Sequence, residues 1–158
     1  MKVRDLMTKN AVSCRSEMSL AAAGALLWEN DCGLLPFVDE AGKVTGVVTD
    51  RDICIALSTR DGQPSRITVG EVVKPQALVC APEDDIHTAL KTMSKEKIRR
   101  LPVVDAEGGL AGILSINDIV LRAQKGDARK PEISYDEVIQ ALQAICAHRT
   151  GVIHATAA

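Results

Sequence analysis

Apolar residues fall along this chain in short bursts, and their spacing changes from helical to strand-like and back in a fixed order. Leu20, Ala23, Leu26 and Leu27 recur at the three- and four-residue steps of one helix face, which predicts a helix over Leu20 to Asn30 with Ser19 as its cap. Ahead of it, Val3 to Met7 reads as a brief helical lead and Val12-Ser13-Cys14 as a short strand. After it, Gly33 releases the chain and Pro36-Phe37-Val38 begins a buried strand. Asp39-Glu40-Ala41-Gly42 has the composition of a hairpin turn, and Lys43 to Thr49 supplies the returning strand. Asp50 stands where a helix start favours an acid, and that helix runs through Leu57.

The same order then returns. Val3 to Leu57 aligns with Val69 to Ala123 without a gap, at a constant offset of 66 residues (Val3 onto Val69). Leu78-Val79-Cys80 is the second short strand, Ile86 to Lys95 the second long helix, and Glu83, Asp84 and Asp85 give that helix an acidic approach. Leu101 to Val104 and Leu110 to Ser115 form a hairpin across Asp105 to Gly109, and Ile116 to Ala123 closes the unit. An internal repeat governs how the whole chain is read, because two similar units pack around a pseudo-twofold axis and form ligand sites in related pairs. The divisions are residues 1–62 for the first repeat, 63–124 for the second, and 125–158 for a linker, a C-terminal helix and a frayed tail. The polar stretch Ser58 to Ile67 joins the repeats. The C-terminal helix opens on a capping box, Ser134 with Glu137, and lines Val138, Leu142 and Ile145 along one face. That face is expected to dock on the body or on a second subunit, with docking between subunits the first choice.

At 158 residues the chain is long enough for a real core, and with one Trp, one Tyr and one Phe that core must be aliphatic. A net charge of −2 and the lack of stacking aromatics argue against a nucleic-acid partner. No apolar run approaches the roughly 18 residues that span a bilayer, so no membrane partner is expected. Met1-Lys2-Val3-Arg4-Asp5 runs straight into a charged amphipathic segment, unlike a signal peptide, and a cytoplasmic location is expected. The cysteines Cys14, Cys32, Cys54, Cys80 and Cys146 are odd in number and form no C-x-x-C pair, so they are read as reduced, buried and apolar in role. His87, His148 and His154 lack any metal-ligand spacing, and no metal site is expected. No P-loop, G-x-G-x-x-G or G-x-S-x-G is present, and no nucleophile has an evident base.

Candidate chemistry sits where each hairpin runs into the last helix of its unit. Gly46-Val47-Val48-Thr49-Asp50-Arg51-Asp52 matches Gly112-Ile113-Leu114-Ser115-Ile116-Asn117-Asp118. Thr49 with Asp52, and Ser115 with Asp118, place a hydroxyl and a carboxylate three residues apart at a strand-to-helix junction. Such a pair can hold a sugar–phosphate, the hydroxyl and free N–H groups on phosphate and the carboxylate on ribose hydroxyls. The same spacing is an ordinary capping box, and its recurrence does not choose, because a duplicated cap recurs as well. The repeats diverge before Leu-Pro: Arg99-Arg100 in the second stands where the first has Gly33-Leu34, and Arg51 is replaced by Asn117. These arginines are either phosphate ligands, which the guanidinium fork suits, or solvated surface residues, and two unequal sites are expected.

Leu-Pro-Phe-Val-Asp and Leu-Pro-Val-Val-Asp before a glycine-containing turn, followed by Gly-h-h-[Thr/Ser]-x-x-Asp before the last helix, resemble the CBS domain. That family is named for cystathionine β-synthase, and its members pair into a Bateman module. The resemblance covers residues 3 to 123. It implies an α+β fold of tandem repeats, each a short three-stranded sheet with helices packed on it, related by a pseudo-twofold axis, here with an added C-terminal helix. It also implies a stand-alone, non-catalytic regulatory module that binds AMP, ADP, ATP, NAD or S-adenosylmethionine between the repeats as an energy or metabolite sensor. No cofactor is required. Carried onto this chain, Asp52 and Asp118 would each hold a ribose diol, Thr49 and Ser115 would touch ribose or phosphate, and Arg100 would reach a phosphate. Groups around Val12, Leu78, Leu35 and Leu101 would flank adenine. A homodimer acting on an unknown regulated protein is expected, the alternative being a ligand-free scaffold for dimerisation or a protein partner. An enzyme ranks last.

Overall fold

The computed structural model describes residues 1–73, 76–125 and 132–147. In chain order its regular elements are β1 (Thr8–Lys9), α1 (Leu20–Glu29), β2 (Leu34–Val38), β3 (Val44–Thr49), α2 (Asp50–Thr59), α3 (Ile86–Glu96), β4 (Arg100–Val104), β5 (Leu110–Ser115), α4 (Ile116–Arg122) and α5 (Tyr135–Cys146). Short 3-10 turns at Val3–Asp5 and Val69–Glu71 lead the two repeats. The mixed α+β class read from the sequence is the one observed. His148, His154, the tail from Thr150 and most of the linker before α5 lie outside the described residues.

The two hairpins are near-copies. β2 pairs antiparallel with β3 and β4 with β5, each with a register shift at the turn end, between Phe37 and Val38 and between Val103 and Val104. The shift follows from the turn chemistry. Gly42 and Gly108 sit at φ 79° and 87°, the left-handed conformation that completes this kind of hairpin loop and that a side chain disfavours. Asp39 Oδ1 accepts from Lys43 N–H at 2.9 Å, and Asp105 Oδ1 accepts from Gly109 N–H at 2.7 Å. The turns also meet each other: Lys43 bridges to Gly109, its own repeat counterpart, as expected of residues beside a pseudo-twofold axis.

The expected third strand of each sheet is reduced. Val12–Cys14 and Leu78–Cys80 each contribute a single parallel bridge, Cys14 to Phe37 and Cys80 to Val103. The Cys14 N–H donates to Pro36 O at 2.9 Å and the Cys80 N–H to Pro102 O at 3.0 Å, and one residue's pair of bonds is all that so short a segment makes. A three-stranded sheet does form, in the order β1-β5-β4, but its third strand comes from the other repeat.

That crossing extends to the cores. Val3, from the lead of the first repeat, is buried with Ile86, Met93, Leu101, Leu114 and Ile119 of the second. Val69, from the lead of the second, is buried with Leu20, Leu35, Val48 and Ile53 of the first. The bridges Lys2–Asp85 and Ser19–Thr68 hold the leads in place and are themselves repeat counterparts. Each repeat therefore closes the other's core.

α5 packs its apolar face on the body of its own chain, the second of the two placements expected for it. Val138, Ala141 and Ile145 join the second core, Leu142 packs beside them, and the helix lies against α3 and α4. The hydrophobic effect is met by the nearest apolar face, and the contact His87 Nε2–Glu137 Oε1 at 3.4 Å ties the same two helices. Among the described residues nothing covers the corresponding face of the first repeat, and Trp28 on α1 is 88% exposed. The cysteines divide likewise: Cys14 and Cys80 are buried, whereas Cys54 and Cys146 are exposed, against the expectation that all are core residues. Among the described residues no helix is long and apolar enough to cross a membrane.

Candidate functional site

Both strand-to-helix junctions form complete capping boxes. Asp52 Oδ2 accepts from the Thr49 N–H at 2.9 Å and the Thr49 hydroxyl at 2.6 Å, while Thr49 Oγ1 accepts from the Asp52 N–H at 3.2 Å. Asp118 Oδ2 accepts from the Ser115 N–H at 2.8 Å and the Ser115 hydroxyl at 2.7 Å, and the return bond from Asp118 N–H is 3.2 Å. The structural reading of the motif is thus realised, and it does not exhaust the groups. Each cap uses one carboxylate oxygen, leaving Oδ1 of Asp52 and Asp118 without a hydrogen bond among the described residues. Capping fixes the carboxylate in one rotamer, which is what a ligand acceptor also needs.

Two clefts open beside these junctions, each walled by both repeats. The first, of about 260 Å³, is lined by Asn10, Val12, Asp31, Cys32 and Leu34 of the first repeat and Arg100, Ile113, Ser115, Asn117 and Asp118 of the second. The second, of about 600 Å³, is lined by Gln76, Leu78, Lys97, Ile98, Arg99 and Arg100 of the second repeat and Leu34, Val47, Thr49, Asp50 and Arg51 of the first. Shifted by the repeat offset, the linings coincide almost residue for residue: Asn10 becomes Gln76, Val12 becomes Leu78, Cys32 becomes Ile98, Ser115 falls on Thr49. The clefts are one design used twice. Leu34 and Arg100, themselves counterparts, line both and form the wall between them.

The charges are not repeated. The first cleft sets two carboxylates, Asp31 and Asp118, against the Arg100 guanidinium. The second sets four cations, Arg51, Lys97, Arg99 and Arg100, against Asp50 alone. Asp31 and Lys97 occupy the same backbone position, each in the left-handed region at φ 46° and 56°. Among the described residues Arg51, Arg99 and Arg100 make no salt bridge, while the Lys97 ammonium donates to Ala147 O at 3.0 Å. A β-carbon on Gly33 would lie 3.2 Å from Asp50 Oδ2 and 3.3 Å from Arg100 Nη1, so a side chain there would crowd both groups.

The structure therefore gathers Val12, Ser115, Asp118 and Arg100 in one cleft and Thr49, Arg51, Leu78, Arg99 and Arg100 in the other. Leu35 and Leu101 belong to neither. Both are fully buried in the cores, because strand alternation turns their neighbours Leu34 and Arg100 toward the clefts. Asp52 does not line the second cleft as Asp118 lines the first; it borders a small hollow with Ile55, Ala56, Thr59, Arg60 and Val72. The wall that Thr8 supplies to the first cleft corresponds to Lys74, outside the described residues. Sequence reasoning missed Asp31, Lys97, Asp50 and Asn117. The reversal of charge at Asp31 and Lys97 was visible in the repeat alignment and was the signal available.

The profile of the CBS domain matches residues 3–59 and again residues 69–125. The chain belongs to the CBS domain family. It is 28% identical over 126 residues to the CBS domain-containing protein YhcV of Bacillus subtilis (strain 168), covering 80% of this chain and 88% of that one. It is 33% identical over 125 residues to inosine-5'-monophosphate dehydrogenase of Mycobacterium leprae (strain TN), covering 78% of this chain but 22% of the enzyme. Among solved structures, the CBS domain pair of protein MJ0100 in complex with 5'-methylthioadenosine and S-adenosyl-L-methionine superposes with a TM-score of 0.69 at 28% identity, over 77% of this chain and 94% of that one. CBSX2 in complex with AMP gives a TM-score of 0.66 at 30% identity, over 76% and 93%. In these CBS pairs the bound molecules are adenosine compounds.

Proposed function

We propose that this CBS pair is a non-catalytic regulatory module that binds adenosine-containing ligands in its two inter-repeat clefts and reports an energy or metabolite signal. The observation that carries this reading is the pair of clefts themselves. Each is built from both repeats, with a capping-box hydroxyl in its lining and aliphatic walls for a base, and Asp118 adds its carboxylate to the first. Because each cleft joins the two repeats, a ligand that prefers one inter-repeat angle shifts the module toward it. The AMP and S-adenosylmethionine complexes of similar CBS pairs support the ligand class. Calorimetric titration of nucleotide-stripped protein with AMP, ATP, NAD and S-adenosylmethionine at fixed salt tests it. Micromolar binding with a raised melting temperature is expected; no heat and no shift for any of the four overturns it.

A second reading, assembly with another protein or a second copy, is favoured by the uncovered face of the first repeat. Between α1 and α2 a groove of about 620 Å³ is lined by Leu27, Trp28, Cys54 and Leu57. A homodimer through this face predicts that Trp28→Glu yields monomers in sedimentation while leaving nucleotide affinity within a few-fold. An unchanged sedimentation coefficient would remove this face from the interface.

A further inference from the structure

We infer that the two clefts take ligands of different charge, the second being the site for a nucleotide with a di- or triphosphate tail and the first for a ligand with one phosphate or none. We infer also that the shared Arg100 makes the clefts compete for phosphate. This rests on the adenosine-binding reading above and adds to it which cleft takes which charge. The clefts share one backbone plan, and three paired positions make the second the more cationic among the described residues. Where the first cleft has Asp31 and Asn117, the second has Lys97 and Arg51, and Arg99 replaces a glycine at its rim. A polyphosphate needs several donors in a fixed spread, and guanidinium groups supply bidentate ones. Arg51, Arg99 and Arg100 are without salt bridges among the described residues, so a phosphate tail need not displace a carboxylate from them. In the first cleft a second or third phosphate would face Asp31 and Asp118 with Arg100 as the one lining cation among the described residues, and repulsion limits what it accepts.

Arg100 follows from the symmetry. The wall between the clefts is made by one position of each repeat, and in this chain one is leucine and the other arginine. A single guanidinium must therefore serve both sides. When a phosphate in the second cleft engages it, the first cleft loses the cation that its described lining supplies. Linkage makes the penalty reciprocal.

The test uses the full-length chain, isotope-labelled for amide spectra, with adenosine, AMP and ATP as probes and no added divalent cation. ATP is expected to shift the amides of Arg51, Gln76 and Lys97, with an affinity that falls more steeply with salt than that of AMP. The double variant Arg51→Gln, Arg99→Gln is expected to weaken ATP about 100-fold, about ten-fold for each charged hydrogen bond lost. Saturating ATP should raise the dissociation constant of AMP at the first cleft about five-fold, and Arg100→Gln should abolish that effect. The melting temperature of each variant shows whether it is folded, and the salt slopes of the unmodified chain test the charge assignment without any variant. Perturbations confined to Asn10 and Asn117, or ATP affinity held within two-fold in the double variant, overturn the charge assignment while leaving adenosine binding intact. Unchanged AMP affinity under saturating ATP overturns the role of Arg100. Absence of binding by all three probes overturns the adenosine reading and this inference with it.

Discussion

The two halves of this chain share a backbone plan, with left-handed residues paired at Asp31 and Lys97 and at Gly42 and Gly108, yet they present opposite charge to the space between them. Asp31 and Lys97 end equivalent helices in the same conformation; Asn117 and Arg51 follow equivalent hydroxyls. Their buried sides show the contrary behaviour. Cys14 matches Cys80, Leu35 matches Leu101, Val48 matches Leu114 and Ile53 matches Ile119, and all eight are buried. The comparison teaches where a duplicated fold is free to change. A core position is held by every neighbour it touches. A residue at a cleft rim has water on one side and can reverse its charge at no cost to packing.

The strongest way to break the comparison is to attack the cores, where the halves should respond alike. Leu35→Ala and Leu101→Ala are each expected to cost about 2–5 kcal/mol, the range for truncating a fully buried leucine. Because each core is closed by the other repeat's lead, urea denaturation should give one transition in both variants. Two separated transitions would show that the halves unfold independently.

Thiol chemistry sharpens it next. Burial raises the Cys14 thiol from 9.0 to about 11, against a smaller opposing pull from a backbone hydrogen bond. Burial raises Cys80 to about 12, with the Asp84 carboxylate adding to the rise. Near pH 8 these hold about a hundred-fold and a thousand-fold less thiolate than a thiol at 9.0, so alkylation should mark exposed Cys54 and Cys146 first and Cys80 last. The same shifts fix a sign for alkaline stability. Both folded-state values lie above the unfolded one, so the stabilisation is complete below pH 9 and is lost as pH rises toward 11–12. Stability that is flat across this window would contradict the burial of both sulfurs.

Caps come third. Thr49→Ala and Ser115→Ala are each expected to lower stability by about 1 kcal/mol, and equally, since their capping bonds match to within about 0.1 Å. Their effects on ligand affinity should differ, because they border clefts of different charge. The smallest effect is acidic. Hydrogen bonds from the Thr68 backbone and hydroxyl hold the Glu71 carboxyl below 4.5, and those from His87 hold Asp85 below 3.8. Their contribution is present above those values and is lost as pH falls through the lowered ones, so Glu71→Gln with Asp85→Asn should flatten the acid limb of a denaturation curve slightly.

Much of this was legible in the residues. The repeat gave the pseudo-twofold, Asp and Gly at fixed places gave the hairpin turns, and Thr49-x-x-Asp52 gave a junction that proved to be both a cap and a cleft edge. Leu35 was misplaced because Leu34-Leu35-Pro36-Phe37-Val38 is apolar throughout, and a strand without alternation does not reveal which face is which; Leu101 was placed as its repeat counterpart, although Arg100 beside it marks the cleft side. The amphipathic stripe of α5 was plain, but periodicity names a buried face and not the surface that buries it. For the same reason no pattern in Val3 or Val69 announced that each would lie in the opposite core.

Because Val3 closes one core and Val69 the other, neither half is finished when detached. A fragment holding only one repeat keeps a lead with no core to enter and a core with no lead to fill it. Since the two leads are both valines at equivalent positions, two copies of that fragment can fill each other's gaps. Each repeat does for the other what a dimer partner would do. The segment from Arg60 to Arg66, between the end of α2 and buried Ile67, makes that assembly internal, with the partner held permanently within reach.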